Sequence, residues 1–168
     1  MSSSRHHSEK LYHVSEEDEV IGSVERDHAH SEEILHRSGI VFIQRSNRDI
    51  LIQYRSPMKE IFPNCYDASA AFHVTFGETY ADAAHRELKE ETGISTELRY
   101  VGKFKHHDSP EHQFVAVFIG VSDSPVKIDR SESTEAVFCS KKEVDKIVTS
   151  ERVTPWLREG WKTVLSSL

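Results

Sequence analysis

A short stretch near the middle of the chain, GETYADAAHRELKEETGI (residues 77–94), constrains the fold and the chemistry more than any other segment. Thr79 followed three residues later by Asp82 is typical of a capped helix start. Gly93 is typical of the residue that follows a helix end. The sequence therefore predicts one helix over residues 80–92.

Small and acidic residues share one stripe of this predicted helix. At about 100° per residue, the stripe contains Glu87, Glu90, Glu91, Ala83 and Ala84. A solvated face of glutamate and lysine is the ordinary alternative. However, small residues suit close packing against a sheet, and like charges at this spacing repel each other. Carboxylate oxygens around an open position suit Mg²⁺ or Mn²⁺, so the stripe predicts a divalent cation site.

Apolar segments on both sides of the helix predict strands. Two β-branched runs around SNRD (residues 46–49) predict a hairpin, and the apolar run FVAVFIGV (residues 114–121) predicts a central strand buried on both faces. Ser140 and the pair Thr154-Pro155 predict the starts of two further helices. This order of elements indicates an α/β domain in which helices pack on a mixed sheet.

Length, charge and cysteine content narrow the class of protein. A chain of 168 residues suits one domain. We assign residues 1–19 to a loosely held polar lead-in and residues 20–168 to a single domain. The net charge of −7 argues against a nucleic-acid partner. With two cysteines, no apolar run of membrane-spanning length and no signal-peptide core, the sequence predicts a cytoplasmic protein without a membrane partner.

From Glu78 to Ile94 the chain resembles the Nudix box, G-x5-E-x7-R-E-U-x-E-E-x-G-U, in which U is aliphatic. The pattern is broken at one place, where Phe72 stands for the first glycine. The resemblance implies the Nudix α/β/α sandwich with a mixed sheet, in which the box forms a loop–helix–loop. It also implies a Mg²⁺- or Mn²⁺-dependent hydrolase of a diphosphate linkage in a nucleoside diphosphate derivative or related small molecule.

The same resemblance assigns roles to individual residues. Glu87, Glu90 and Glu91 match the metal ligands, and Glu78 and Arg86 match a pair that braces the loop. Families differ in the general base, and four carboxylates stay open as candidates: Glu90, Glu91, Glu111 and Glu135. Nudix proteins are often dimers, so a homodimer is an assembly to test.

Residues 19–140 are similar, over a wider span, to the Nudix branch related to isopentenyl-diphosphate isomerase. Arg55 and Lys59 match residues that hold the diphosphate in the isomerases. These enzymes also bind a metal through histidines and carboxylates. The matching residues here are His36, His73 and Glu111, whereas Gln113 stands where a second carboxylate is expected.

Other positions separate the alternatives within this branch. His30 matches a third histidine only with its spacing shortened by one, so we interpret it as an ordinary histidine. Ala71 stands where the isomerase carries a catalytic cysteine, which disfavours isomerase activity. Phe72 leaves a third alternative, a domain that binds a diphosphate without turnover. Its ring either narrows the site beside His73 or packs into the core with Phe76.

Overall fold

The computed structural model describes residues 9–168. Its strands are β1 (Lys10–Val14), β2 (Val20–Glu25), β3 (His36–Gln44), β4 (Ile50–Arg55), β5 (Tyr66–Asp67), β6 (Ala70–His73), β7 (Arg99–Asp108), β8 (Glu111–Val121) and β9 (Ser133–Cys139). Its α-helices are α1 (Arg26–Ser31), α2 (Tyr80–Thr92), α3 (Lys141–Ile147) and α4 (Pro155–Val164), followed by a 3₁₀ turn at Leu165–Ser167.

Seven strands form a mixed sheet. The path β5-β4-β3-β8-β7 runs across it, while β6 pairs with β3 and β9 pairs with β4. β3 and β8 are parallel, and the other pairings are antiparallel. β8 lies between β3 and β7, which confirms the predicted central strand. β3 and β4 are joined by the predicted hairpin turn.

The alternation of β3 divides its apolar side chains between two cores. Ile40 and Phe42 pack with the tryptophans of α4, and Val41 and Ile43 pack with the alanines of α2. Gly160 of α4 comes so close to Ile40 that a Cβ there would lie 2.1 Å from its Cδ1. The sheet is therefore enclosed between helices on both faces, which is the predicted sandwich.

The ends of the helices follow the local sequence signals. Thr79 and Asp82 form a capping box at the start of α2, and Gly93 follows its end with a φ of 75°. Ser140 forms a second capping box with Glu143, and the Thr154 side chain caps α4. These three predicted helix starts are confirmed. None of the helices in residues 9–168 is both long and apolar enough to span a bilayer.

The segment assigned to a lead-in is partly structured, so its predicted boundary at residue 19 is wrong. Residues 10–25, here called the N-terminal hairpin, pair β1 with β2, and Leu11 is buried. The turn of this hairpin is fixed by Asp18, a buried carboxylate with three donors. They are Arg37 Nε at 2.7 Å, Lys103 Nζ at 2.6 Å and Tyr80 Oη at 2.7 Å. Residues 1–8 of the lead-in lie outside the described residues.

Candidate active site

The loop before α2 is held by an ion pair between Glu78 and Arg86. Arg86 donates from Nε to Glu78 Oε2 and from Nη2 to Glu78 Oε1, both at 2.8 Å. Glu78 Oε1 also accepts from the Thr75 backbone N–H at 3.1 Å. The guanidinium hydrogen bonds hold the pKa of Glu78 below its usual value. This geometry agrees with the loop-bracing role that the sequence predicts for the pair.

The three glutamates of α2 occupy different environments. Glu87 and Glu91 are buried, each 8% exposed, whereas the side chain of Glu90 is 57% exposed. Burial raises the pKa of Glu87 to about 7, against the lowering effect of Arg86 Nη1, which donates to Glu87 Oε1 at 2.7 Å. Burial and the charge of Glu87 also raise the pKa of Glu91, whose Oε2 has no hydrogen-bond partner among the described residues. A divalent cation would compensate both carboxylates, so these two residues fit the predicted ligands.

A second group of potential ligands surrounds Glu111. His30 Nε2 and His36 Nε2 each lie 3.0 Å from one of its carboxylate oxygens, and His73 Nε2 lies 3.3 Å from both. The four potential ligand atoms lie within 4.8 Å of one another. Among the described residues, these four therefore form a group that could hold a metal ion. The structure thus brings His30 beside Glu111 in a potential metal site, a position that its interpretation as an ordinary histidine did not anticipate.

The hydrogen bonds of this cluster favour metal binding. His36 Nδ1 lies 2.8 Å from the Ile34 carbonyl oxygen and must donate to it, which orients the ring with Nε2 toward Glu111 Oε2 at 3.0 Å. Burial lowers the pKa of His73, and the neutral imidazole is the form that ligates a metal. Although burial acts to raise the pKa of Glu111, the three histidines hold it well below its usual value.

The two candidate metal-binding groups open into one cavity of about 440 Å³. Glu87 reaches it from α2, and His73 and Glu111 reach it from the ends of β6 and β8. Its floor, defined here by side chains of the sheet, comprises Ser38, Ile40, Ala71, Gln113 and Val115. Its rim comprises Arg26, Met58, Lys59, Glu60 and Arg130. The site therefore combines cation ligands, apolar surface and basic side chains in one enclosure.

The two predicted phosphate ligands line this cavity but have protein partners. Arg55 donates from Nη2 to the Ile61 carbonyl at 2.7 Å, from Nε to the Phe62 carbonyl at 3.0 Å and from Nη1 to Asp67 Oδ2 at 2.9 Å. Lys59 Nζ lies 2.5 Å from Glu132 Oε2. Arg55 therefore holds the segment after β4 in place, and phosphate binding by either residue stays a prediction.

The locations of Glu135 and Phe72 bear on the roles predicted for them. Glu135 is exposed on β9 and lines a separate shallow depression rather than the cavity, so the structure does not support it as a general base. Phe72 is buried in the core against α2 and also lines the cavity. The prediction that Phe72 packs in the core with Phe76 is wrong in its partner. Phe76 is 47% exposed, and the Phe76 ring lies 4.9 Å from that of Tyr12.

The ring of Phe72 occupies space that a glycine provides. Phe72 pairs with Gly39 across β6 and β3, and a Cβ on Gly39 would lie 2.5 Å from the Phe72 ring. The backbone of Phe72 is not in the left-handed region, so the residue is not strained. The departure from the box pattern is therefore accommodated by packing, and a narrowing effect on the substrate stays a prediction.

Comparisons with known proteins agree with this fold and site. Residues 35–158 match the NUDIX domain, and the chain therefore belongs to the Nudix family. An uncharacterized Nudix hydrolase of Pseudomonas aeruginosa, PA4841, is 33% identical over 132 residues, which cover 78% of each chain. The crystal structure of DR0079 from Deinococcus radiodurans superposes with a TM-score of 0.78 at 26% identity, and the match covers 92% of this chain and 98% of that one.

The relatives also include isomerases. The isopentenyl-diphosphate Delta-isomerase 1 of Photorhabdus laumondii is 27% identical over 169 residues, which cover 95% of this chain and 96% of the isomerase. The predicted family, fold and relation to the isomerase branch are thus confirmed. The family supports hydrolase activity in general, and the His/Glu cluster is a potential metal site.

Proposed function

We propose that this protein is a divalent-cation-dependent hydrolase of a diphosphate linkage in a small molecule. The observation that carries the proposal is the pair of buried, undercompensated carboxylates on α2, Glu87 and Glu91, held beside a cavity by the Glu78–Arg86 ion pair. A chain that buries two carboxylates without a full set of partners destabilises itself unless a cation is bound. Mg²⁺ suits these oxygen ligands.

Different residues would serve different roles in this hydrolysis. Arg86 keeps the loop and the first turns of α2 fixed, so that Glu87 and Glu91 face a cation from a rigid helix. A bound cation supplies charge neutralisation for the substrate phosphates and acidifies a coordinated water. Glu90 is exposed and close to Arg86, which leaves it available as a general base beside Glu91. The three imidazoles around Glu111 suit a transition metal such as Zn²⁺ or Fe²⁺ better than Mg²⁺, which prefers oxygen ligands.

Isomerase activity is disfavoured by the cavity floor. Ala71 lines it and carries no group that exchanges a proton. Neither cysteine of the chain lines the cavity in the described residues: Cys65 Sγ lies 3.5 Å from the Pro63 carbonyl oxygen, and Cys139 is buried in the core. We therefore expect no conversion of isopentenyl diphosphate to dimethylallyl diphosphate, and enzyme-dependent formation of that product would contradict this assignment.

The test is a hydrolysis assay with Mg²⁺ and, separately, Mn²⁺. The panel contains nucleotide sugars, dinucleotides and prenyl diphosphates, and phosphate-containing products are measured. We expect turnover of at least one compound and a loss of several orders of magnitude in Glu91→Gln. The matched control, Glu97→Gln, removes an exposed carboxylate and should retain wild-type turnover. If the wild-type protein binds these compounds but turns over none, the protein is the non-catalytic binding domain.

A further inference from the structure

One buried amide oxygen in the cavity has no hydrogen-bond partner among the described residues. Gln113 is 3% exposed in the central strand β8, and its Oε1 makes no hydrogen bond with any residue from 9 to 168. The side chain lines the cavity floor. Burial of an amide without a hydrogen bond costs free energy, which is why buried polar groups are normally paired.

Three other polar residues of the cavity lining, Ser38, Glu111 and Trp156, already have partners of their own. The Ser38 hydroxyl donates to the Phe114 carbonyl at 3.0 Å, and Trp156 Nε1 donates to Asp67 Oδ1 at 2.9 Å. Glu111 faces the three histidines of its cluster. None of these groups is therefore free to pair with the amide of Gln113 without losing its own partner.

A second buried polar atom without a hydrogen-bond partner among the described residues lies on the neighbouring strand. His106 of β7 is the register partner of Gln113, so the two side chains are neighbours on the same face. His106 is also buried, its Nε2 has no hydrogen-bond partner in the described chain, and its ring lies 6.1 Å from that of Trp156, which lines the cavity. Two neighbouring unsatisfied groups beside one cavity indicate that a ligand satisfies at least the one that lines it.

We propose that Gln113 is a specificity-determining residue whose amide hydrogen-bonds a hydroxyl group on the part of the substrate beyond the diphosphate. A hydroxyl both donates and accepts, and it can pair with either end of an amide. A plain hydrocarbon chain would leave the amide unpaired, and such sites discriminate strongly against the analogue that lacks the polar group. The inference rests on the proposed function, and it assigns the substrate to hydroxylated diphosphate compounds rather than prenyl diphosphates.

The test measures binding rather than turnover. The probes are methylene-bridged diphosphonate monoesters, which cannot be hydrolysed at the bridge, in pairs of n-alkyl and terminally hydroxylated n-alkyl esters of increasing chain length. Calorimetry with Mg²⁺ compares the wild-type protein with Gln113→Met, which keeps the length of the side chain and removes the amide. Gln44→Met is the control, because Gln44 lies at the opposite end of β3 from His36 and outside the cavity lining.

We expect the wild-type protein and the control to prefer the hydroxylated ester at one chain length by about tenfold, the equivalent of one well-formed hydrogen bond. Gln113→Met should lose this preference, bind the alkyl ester within about twofold of wild type, and melt no lower than wild type, because the amide oxygen has no hydrogen-bond partner among the described residues. Equal binding of both esters at every length, a preference that survives in Gln113→Met, or no binding of either series would overturn the inference. The hydrolysis panel is independent: turnover without hydroxyl preference refutes only this inference, and hydroxyl-selective binding without turnover refutes only the proposed function.

Discussion

Replacement of Glu87 by glutamine should make the metal-free protein more stable. The pKa of Glu87 is raised to about 7 by burial, whereas an unfolded glutamate titrates near 4.5. Folding therefore favours the protonated form, and the wild-type protein loses stability as the pH rises from the unfolded value through the folded one. This difference in pKa corresponds to about 3 kcal/mol above neutral pH. Glutamine stays neutral and keeps an acceptor for Arg86, so the variant avoids this loss.

The assay is thermal unfolding in a chelator at two pH values. At about pH 8.5 the variant should melt roughly 6–12 °C above wild type, because 1 kcal/mol is worth about 2–4 °C in a domain of this size. At about pH 4.5 the two melting temperatures should converge, because Glu87 is then largely protonated in the folded protein. Glu97→Gln, which changes an exposed residue, should match wild type at both pH values.

Addition of Mg²⁺ should reverse the order of stability. A cation that binds the folded state through Glu87 raises the melting temperature of wild type, and the variant has lost one of its ligands. Two results would refute the reasoning. One is a destabilised variant at high pH in chelator, which would mean that the charge of Glu87 is compensated within the protein. The other is an equal shift by Mg²⁺ in both proteins, which would mean that Glu87 is not a ligand.

Three further substitutions test other parts of the structure. Asp18→Ala leaves three hydrogen-bond donors without their acceptor and should lower the free energy of unfolding by about 3 kcal/mol in denaturant titrations. A loss of less than half of that value would show that the N-terminal hairpin is held mainly by apolar contacts. Lys59→Ala breaks a partly exposed ion pair with Glu132, so melting should change little while diphosphate affinity falls about tenfold in calorimetry; unchanged affinity would assign Lys59 to structure. Phe72→Gly empties the space over Gly39 and should cost about 3–5 kcal/mol; retained stability with new activity on bulky substrates would instead establish narrowing.

Local signals in the sequence predicted local structure well. The bounds of α2 follow from a capping box and a C-terminal glycine, both of which act within a few residues of the helix end. The sequence does not reveal the N-terminal hairpin because its strands are short and most of their residues are exposed or half-buried. Their few buried residues, such as Leu11 and Val24, pack in a small cluster of their own, away from the two main cores.

The candidate site was predicted in part, because its two halves depend on different information. The spacing of Glu87 and Glu91 on one helix is readable from the sequence. The histidine cluster depends on the register of β3 with β6 and β8, which places His36 and Glu111 together although 75 residues separate them. The polar partners of Arg55, which bear on its predicted role, likewise follow from the path of the segment after β4 rather than from any local pattern.

The N-terminal hairpin contacts the loop before α2 from outside the matched domain. Tyr12 Oη donates to the Glu78 carbonyl and accepts from the Gly77 N–H, both at 2.9 Å, and Thr75 donates to Glu9 at 2.6 Å. Residues that precede the NUDIX match at residue 35 therefore hold in place, through hydrogen bonds, the loop that carries Glu78. A chain shortened to the matched domain would keep every proposed metal ligand on the helix and lose the rigidity of the loop before it. Substitutions in these first strands should therefore change the rigidity of that loop without altering any residue of the box.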